Sequence, residues 1–181
     1  MDASDRKIFN EMSTLVDLLS WRSQSQPNRS TYTFLEDGED AEIYFSNQEL
    51  EKRAQAIGAH LQSLNSVDER VLLLLSPGLD YIAAFFGCLY AGAVAVPVYP
   101  PRANRRLSRL QAIVKDAQPK VVLTTSHLLA KLCSKGRSPL GDENLTWLPI
   151  DEFNIDLASQ WTAPSLSGNS LAFLQYTSCS T

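Results

Sequence analysis

The sequence predicts an α/β fold in which a mostly parallel sheet carries helices on both faces. Residues 71–75 (VLLLL) form a continuous apolar run, which is typical of a strand covered on both faces. From Arg70 onward, β-like and helical segments alternate at the spacing of βαβ units. The chain has 181 residues, 44% of them hydrophobic and 20% charged, so it is long and apolar enough to bury a core.

A short helix and a β-hairpin precede this alternation. The helix is predicted by an apolar stripe at helical spacing, formed by Met12, Leu15, Val16 and Leu19. Two β-like runs, residues 32–35 and 43–45, flank the stretch Asp37-Gly38-Glu39-Asp40, and an Asp-Gly pair in that position is typical of a hairpin. Ser46 and Glu49 fit a capping box, so a second helix is expected to begin there.

The remaining elements follow in order along the chain. Strands are predicted at residues 71–75, 94–98, 121–125, 145–150 and 171–176, and helices at 79–91, 104–117 and 127–135. Polar stretches bearing Gly, Pro or Ser, at residues 136–144 and 154–170, are interpreted as loops.

Residues 81–98 contain no charge over 18 positions, close to the minimum for a membrane-spanning helix. Gly92 interrupts the run where a helix begun near Leu79 would end, and Pro97 would break a continuous helix. We therefore predict a buried helix followed by a buried strand, and no transmembrane segment.

Charge and cysteine content exclude several function classes. The net charge of −4 gives no reason to expect nucleic acid as a partner. Cys88, Cys133 and Cys179 are odd in number and widely spaced, which argues against a disulfide framework or a zinc site. No apolar core follows the charged residues 1–7, so we expect no signal peptide and a cytoplasmic location.

The sequence contains no Walker loop, GxGxxG, GxSxG or HExxH motif. The histidines His60 and His127 are far apart and are interpreted as exposed or satisfied side chains. The neighbouring Asp151 and Glu152 are interpreted as solvated. Neither pair is assigned a catalytic role.

Four arginines share one predicted helix face, because Arg102, Arg105, Arg106 and Arg109 follow helical spacing. Such a face can be a docking patch for an acidic partner or a phosphate-bearing ligand. A solvated face opposite the apolar side is the more common case for a charge run.

The last eleven residues predict a strand that runs into a hydroxyl-rich turn, Thr177-Ser178-Cys179-Ser180-Thr181. Short hydroxyl side chains and the N–H groups of a tight turn can bind an anion such as phosphate. Ligands also gather at the carboxyl ends of strands in open α/β sheets. An ordinary Ser/Thr turn has the same composition, so the residues alone leave both alternatives open.

The stretch LAFLQYTSCST resembles the phosphate-binding motif of the adenylate-forming enzymes, Y-T-S-G-S-T-G-x-P-K-G. Residues 14–61 resemble the family's opening helix, hairpin and next helix, and VLLLLSPGLDYIAAFFGCLYAGAVAVPVYPPR resembles its first βαβ unit. The form AVAVPVYPP is most similar to the fatty acyl-AMP ligase branch. The resemblance extends from about Met12 to Thr181 and implies the N-terminal subdomain of such an enzyme.

The resemblance implies a reaction in which a fatty acid and ATP give an acyl-adenylate and pyrophosphate. It also implies that the acyl group then passes to an acyl carrier protein of a polyketide or lipopeptide pathway. The loop Thr177, Ser178, Cys179, Ser180 and Thr181 would hold the β- and γ-phosphates of ATP, with Mg²⁺. It implies no catalytic or metal-ligating residue within the chain.

Two departures from the family pattern limit what is expected of the chain. Cys179 stands where the pattern has glycine, and the chain ends before the G-x-P-K-G half. We therefore expect residues 1–181 to be an incomplete N-terminal portion of the domain, from an expression fragment or a prematurely ended gene, and inactive alone. Uncovered apolar surface would favour self-association. The alternatives are a fragment of an acyl-CoA synthetase and a non-catalytic module that binds a carrier protein or a partner chain.

Overall fold

A computed structural model describes residues 12–35, 42–101, 107–132, 140 and 144–177. Its α-helices are α1 (Leu15–Ser25), α2 (Asn47–Ser63), α3 (Leu79–Ala91), α4 (Ser108–Ala117) and α5 (Ser126–Leu132). Its strands are β1 (Ser30–Leu35), β2 (Glu42–Ser46), β3 (Arg70–Leu74), β4 (Val94–Val98), β5 (Val121–Thr124) and β6 (Thr146–Pro149). Two 3₁₀-helices follow β6, at Ile150–Glu152 and Ile155–Gln160.

Strands β3 to β6 form one parallel sheet in the order β4-β3-β5-β6. Val71 pairs with Ala95 on one side and with Val121 on the other. The chain thus runs from β3 to β4 and then returns across β3 to β5. This reversal leaves a crevice outside the carboxyl ends of β3 and β5, where ligands gather in open α/β sheets.

The side chains of β3 alternate between the two faces of the sheet, as expected for a strand. Val71 and Leu73 pack in a core with helices α1, α2 and α3. Leu72 and Leu74 pack in a second core with helix α4. The predicted α/β fold, with a parallel sheet covered by helices on both faces, is confirmed.

The predicted hairpin, which precedes the sheet in the chain, is confirmed. Strands β1 and β2 pair antiparallel, with Phe34 opposite Ile43. The predicted Asp37–Asp40 turn lies outside the described residues. Ser46 ends β2 and caps α2, because its Oγ accepts from the Glu49 N–H at 3.2 Å and the Glu49 carboxylate accepts from the Ser46 N–H at 2.9 Å.

The uncharged run at residues 81–98 divides into α3 and β4, as predicted. Gly92 ends α3 with φ = 73°, a left-handed conformation that favours glycine because it has no Cβ. No helix in the described part of the chain is both long and apolar enough to cross a bilayer.

Two predicted elements change in the structure. The loop predicted at residues 154–170 is wrong in part, because Ile155–Gln160 forms a 3₁₀-helix that packs on α2. Two long-range hydrogen bonds just after this 3₁₀-helix hold it against α2 and α3. Trp161 Nε1 donates to the carbonyl of Tyr90 at 2.7 Å, and Gln62 Nε2 donates to the carbonyl of Thr162 at 2.7 Å. The helix predicted at 104–117 is described only as α4, since residues 102–106 lie outside the described part.

Candidate functional site

The segment that leads into the predicted phosphate loop lies along the β4 edge of the sheet. The Ala95 N–H donates to the carbonyl of Ala172 at 3.0 Å, and the Leu174 N–H donates to that of Ala95 at 2.8 Å. These two bonds make a single parallel bridge between Ala95 and Phe173. The segment therefore runs in the same direction as the sheet strands and ends at the carboxyl side.

The prediction of a buried strand at residues 171–176 is wrong. Leu171 is 59% exposed and Phe173 is 45% exposed, and no strand longer than the bridge forms. The physical reason is the position of the segment: β4 covers one side, and no other described strand pairs with its outer side. A hydrophobic run in the sequence does not indicate whether a second strand will pack beside it and bury it.

Of the five predicted loop residues, the structure describes Thr177, whose side chain is exposed. The others, Ser178, Cys179, Ser180 and Thr181, lie outside the described residues. Thr177 borders a groove of about 210 Å³ between the segment and helix α4. The groove is lined by Arg109, Ala112, Ile113, Tyr176 and Thr177.

Tyr176 connects this segment to helix α4. Its phenol Oη donates to Asp116 Oδ2 at 2.5 Å. Burial raises the pKa of the Tyr176 phenol to about 12, and the hydrogen bond to Asp116 and the negative charge of that carboxylate act in the same direction. The phenol is therefore neutral, and able to donate, throughout the physiological pH range. Asp116 was not predictable as a partner of Tyr176, because no sequence signal pairs an aspartate with a tyrosine sixty positions away.

A larger cleft, of about 580 Å³, lies outside the carboxyl ends of β3, β4 and β5. The hairpin forms one wall and the β3–α3 loop another. Arg53 lies over the ring of Phe45, with its guanidinium carbon 4.7 Å from the ring centroid. The other ionisable side chains in the lining are Tyr44, Asp80, His127 and Lys131, within a largely apolar wall. The described residues contain no group of three His, Cys, Asp or Glu that could hold a metal ion.

The structure agrees with the prediction that His60 and His127 are exposed or satisfied side chains. His60 is half-buried, and its ring stacks on Phe153 with centroids 4.7 Å apart and planes 2° apart. His127 is exposed at the rim of the larger cleft.

Asp151 is not merely solvated, as the sequence had suggested. Its carboxylate accepts from the Ser126 N–H at 2.8 Å and from the Ser126 Oγ at 2.5 Å, at the start of helix α5. Burial raises the pKa of Asp151, but the hydrogen bonds from Ser126 together lower it by a larger amount. The net pKa therefore lies below its ordinary value. Asp151 thus joins the end of β6 to α5. Glu152 is exposed, as expected.

The arginine face and the cysteines are described only in part. Arg109 is exposed on α4, while Arg102, Arg105 and Arg106 lie outside the described residues. Cys88 is fully buried as a free thiol, and this burial raises its pKa. Cys133 lies outside the described part, like Cys179.

Comparison with known proteins identifies similar chains over nearly the whole length. The model of the AMP-binding enzyme family matches residues 19–181. The medium-chain-fatty-acid–[acyl-carrier-protein] ligase JamA of Moorena producens is 44% identical over 176 residues, which is 94% of this chain and 30% of that protein. The long-chain-fatty-acid–AMP ligase FadD32 of Mycobacterium marinum is 32% identical over 178 residues, 96% of this chain and 28% of that protein.

A solved structure shows the same arrangement of elements. It is the fatty acyl-adenylate ligase from L. pneumophila in complex with acyl adenylate and pyrophosphate, with a TM-score of 0.85 and 35% identity. The match covers 95% of this chain and 29% of that chain. The chain therefore spans about 30% of the length of the curated relatives it matches.

Proposed function

This chain belongs to the AMP-binding enzyme family, and from that membership we propose that it is the N-terminal portion of a fatty acyl-AMP ligase. The observation that carries the proposal is the 44% identity to a medium-chain-fatty-acid–[acyl-carrier-protein] ligase over 94% of the chain. The relatives named above are acyl-AMP or acyl-carrier-protein ligases, which favours this branch over acyl-CoA synthetases.

In the proposed reaction, a fatty acid carboxylate oxygen attacks the α-phosphorus of ATP. The bond from that phosphorus to the bridging oxygen breaks, pyrophosphate leaves with its electron pair, and an acyl-adenylate forms. Donors and cations around the phosphates stabilise charge in the transition state. A nucleophilic group of an acyl carrier protein then attacks the acyl carbon and gives up its proton, the bond from that carbon to the phosphate oxygen breaks, and AMP leaves. A cytoplasmic location is part of the proposal because the reaction consumes ATP, and fractionation of the source cells tests it.

Thr177 to Thr181 are the residues that we propose to hold the β- and γ-phosphates. The position of Thr177 supports this, because its exposed side chain follows a segment that runs parallel to the sheet toward the carboxyl ends of the strands. Hydroxyl and backbone N–H donors suit phosphate oxygens. Mg²⁺ binds through oxygen ligands and phosphates, so hydroxyl-rich residues beside the phosphates fit it as well.

We propose that the 181 residues alone do not adenylate a fatty acid. The support is the coverage of the relatives, since about 70% of their length has no counterpart in this chain. An ATP–pyrophosphate exchange assay with medium- and long-chain fatty acids tests this. Exchange that depends on the fatty acid, catalysed by the isolated chain, would contradict it.

A chimaera tests the proposed function directly. In it, this chain replaces the matching 176-residue stretch of the Moorena relative. We expect ATP–pyrophosphate exchange that depends on a medium-chain fatty acid, and we expect Cys179→Gly to increase it. Glycine removes a Cβ from a loop that must approach phosphate closely. A folded chimaera without exchange, both with Cys179 and with glycine there, would overturn the proposal.

A further inference from the structure

The residues that lead into the predicted phosphate loop have few attachments to the sheet. Two main-chain hydrogen bonds hold the segment, both to Ala95. The ring of Phe173 adds an edge-on contact with Phe85, with centroids 5.8 Å apart. Beyond Leu174, no main-chain hydrogen bond between described residues holds the chain. The direction in which Thr177 leaves the sheet must therefore depend on side chains.

The side chains of Leu174 and Tyr176 both pack against the second core, and Tyr176 adds the polar attachment nearest to Thr177. The hydrogen bond from Tyr176 to Asp116, at 2.5 Å, holds the residue immediately before Thr177 in the chain. Because the acceptor is a carboxylate, this bond belongs to the stronger, charge-assisted class. It connects the segment to helix α4, on the face of the sheet where Leu72 and Leu74 are buried.

Helix α4 is a rigid support for this contact. Ile113 and Val114 are 8% and 4% exposed and belong to the second core. The end of the helix is also fixed to β3, because Arg70 Nε donates to the carbonyl of Ala117 at 2.8 Å. Asp116 lies between these two anchors, so its backbone position is determined by the sheet and the core.

We infer that Asp116 is a positioning residue for the proposed phosphate loop: it binds the Tyr176 phenol and so fixes the position of Thr177, where that loop begins. This inference rests on the proposed function. The phenol is neutral at physiological pH and can therefore donate this hydrogen bond, and its raised pKa of about 12 keeps it a donor at higher pH as well. Asp116 itself does not touch the nucleotide; it acts through Tyr176.

The first test measures the attachment in the isolated chain, by hydrogen exchange of the peptide that contains Leu174. We expect Asp116→Ala and Tyr176→Phe each to accelerate this exchange by roughly 2- to 10-fold, the range for one net hydrogen bond. Asp116→Asn keeps an acceptor oxygen and should largely restore protection. Tyr99→Phe is the matched control, because Tyr99 is 81% exposed and loses the same hydroxyl. Unchanged exchange in Asp116→Ala would overturn the inference.

The second test measures what the attachment does, in the chimaera described above. We expect Asp116→Ala to raise the KM for ATP by roughly 2- to 10-fold and to leave the KM for the fatty acid unchanged. Asp116→Asn should recover most of the loss. A general folding defect would not separate the two substrates in this way, and an equal effect on both would overturn the inference. If the folded chimaera is inactive both with Cys179 and with glycine there, the proposed function fails, while the hydrogen-exchange experiment still decides the attachment.

Discussion

Ile57 and Gly87 meet where helices α2 and α3 pack against each other. A Cβ built at Gly87 would lie 2.6 Å from Ile57 Cβ and closer still to Ile57 Cγ2, which no real side chain tolerates. Ile57 is 4% exposed and belongs to the first core, so it has little room to move aside. Glycine at position 87 thus sets how closely the two helices can approach.

We therefore expect Gly87→Ala to lower the free energy of unfolding by about 1 kcal/mol or more. In an open helix position the change would stabilise by up to about 1 kcal/mol, whereas overpacking costs about 1–3 kcal/mol. Urea denaturation measures the difference. Ile57→Ala opens space at the contact, so the double variant should lose at least 0.5 kcal/mol less than the sum of the single variants, on the order of a contact coupling. A Gly87→Ala chain as stable as the parent would contradict this packing.

Individual residues were predictable from sequence where the signal is local. Gly92 was expected to end a helix, and it does so in a left-handed conformation. Asp116 and Asp151 were not recognised as partners of Tyr176 and Ser126, because these contacts join separate elements. A hydrogen bond between side chains sixty positions apart produces no recognisable pattern in the sequence around either residue.

At the scale of elements, capping boxes begin two of the helices. Thr14 and Asp17 form one at α1, and Ser46 and Glu49 form the other at α2. The second was predicted from its Ser-x-x-Glu pattern. The first was not, because it uses aspartate where the common pattern has glutamate.

The α2 box predicts a pH-dependent contribution to stability. The backbone hydrogen bond from Ser46 is the main cause that lowers the pKa of the Glu49 carboxyl. A carboxyl with a lowered folded-state pKa stabilises above its unfolded pKa, and that stabilisation disappears as pH falls. We expect Glu49→Gln to lower the midpoint of urea denaturation at pH 7 and to have less effect at acid pH, below the pKa of the Glu49 carboxyl.

Two comparisons sharpen this prediction. Ser46→Ala removes the side-chain acceptor and should cost about 0.5–2 kcal/mol at neutral pH. Glu152→Gln makes the same change as Glu49→Gln at an exposed carboxylate and should have little effect. An effect of Glu49→Gln that is equal at both pH values would show that the carboxylate does not act through the cap.

The strands of the four-stranded sheet were predicted well, and the segment at residues 171–176, which lies outside β4, was predicted poorly. Strands β3 and β4 were located within a residue, since their continuous apolar runs are buried on both faces. Residues 171–176 are also mostly apolar, but they have no second neighbour in the described part and pair with β4 at a single bridge. Composition predicts the tendency to be buried, and topology decides whether burial occurs.

At the scale of the whole molecule, the β4 edge is the most exposed apolar surface of the sheet. Leu171 and Phe173 project from the bridge segment, and Tyr99, which follows β4, is 81% exposed. An apolar edge with unpaired backbone groups tends to pair with another chain.

We expect the isolated chain to self-associate through this edge as its concentration rises. Sedimentation velocity over a concentration series measures the association. Leu171→Lys should weaken it, because a charge on an edge opposes pairing. Leu15→Lys is the matched control, since Leu15 is similarly exposed, at 49%, but belongs to helix α1 and not to the β4 edge. A chain that stays monomeric at every concentration would contradict the prediction.

The strand order β4-β3-β5-β6 also has a consequence for synthesis on the ribosome. Strands β3 and β4 are the first two strands of this sheet to emerge, and the short connection through α3 joins them, so they can pair before the rest of the sheet exists. Each later strand then adds to one side or the other: β5 beside β3, β6 beside β5, and residues 172–174 beside β4. The sheet thus extends outward from the strands that are synthesised first. The segment that leads to the phosphate loop is synthesised last, when the strands that hold it have already been made.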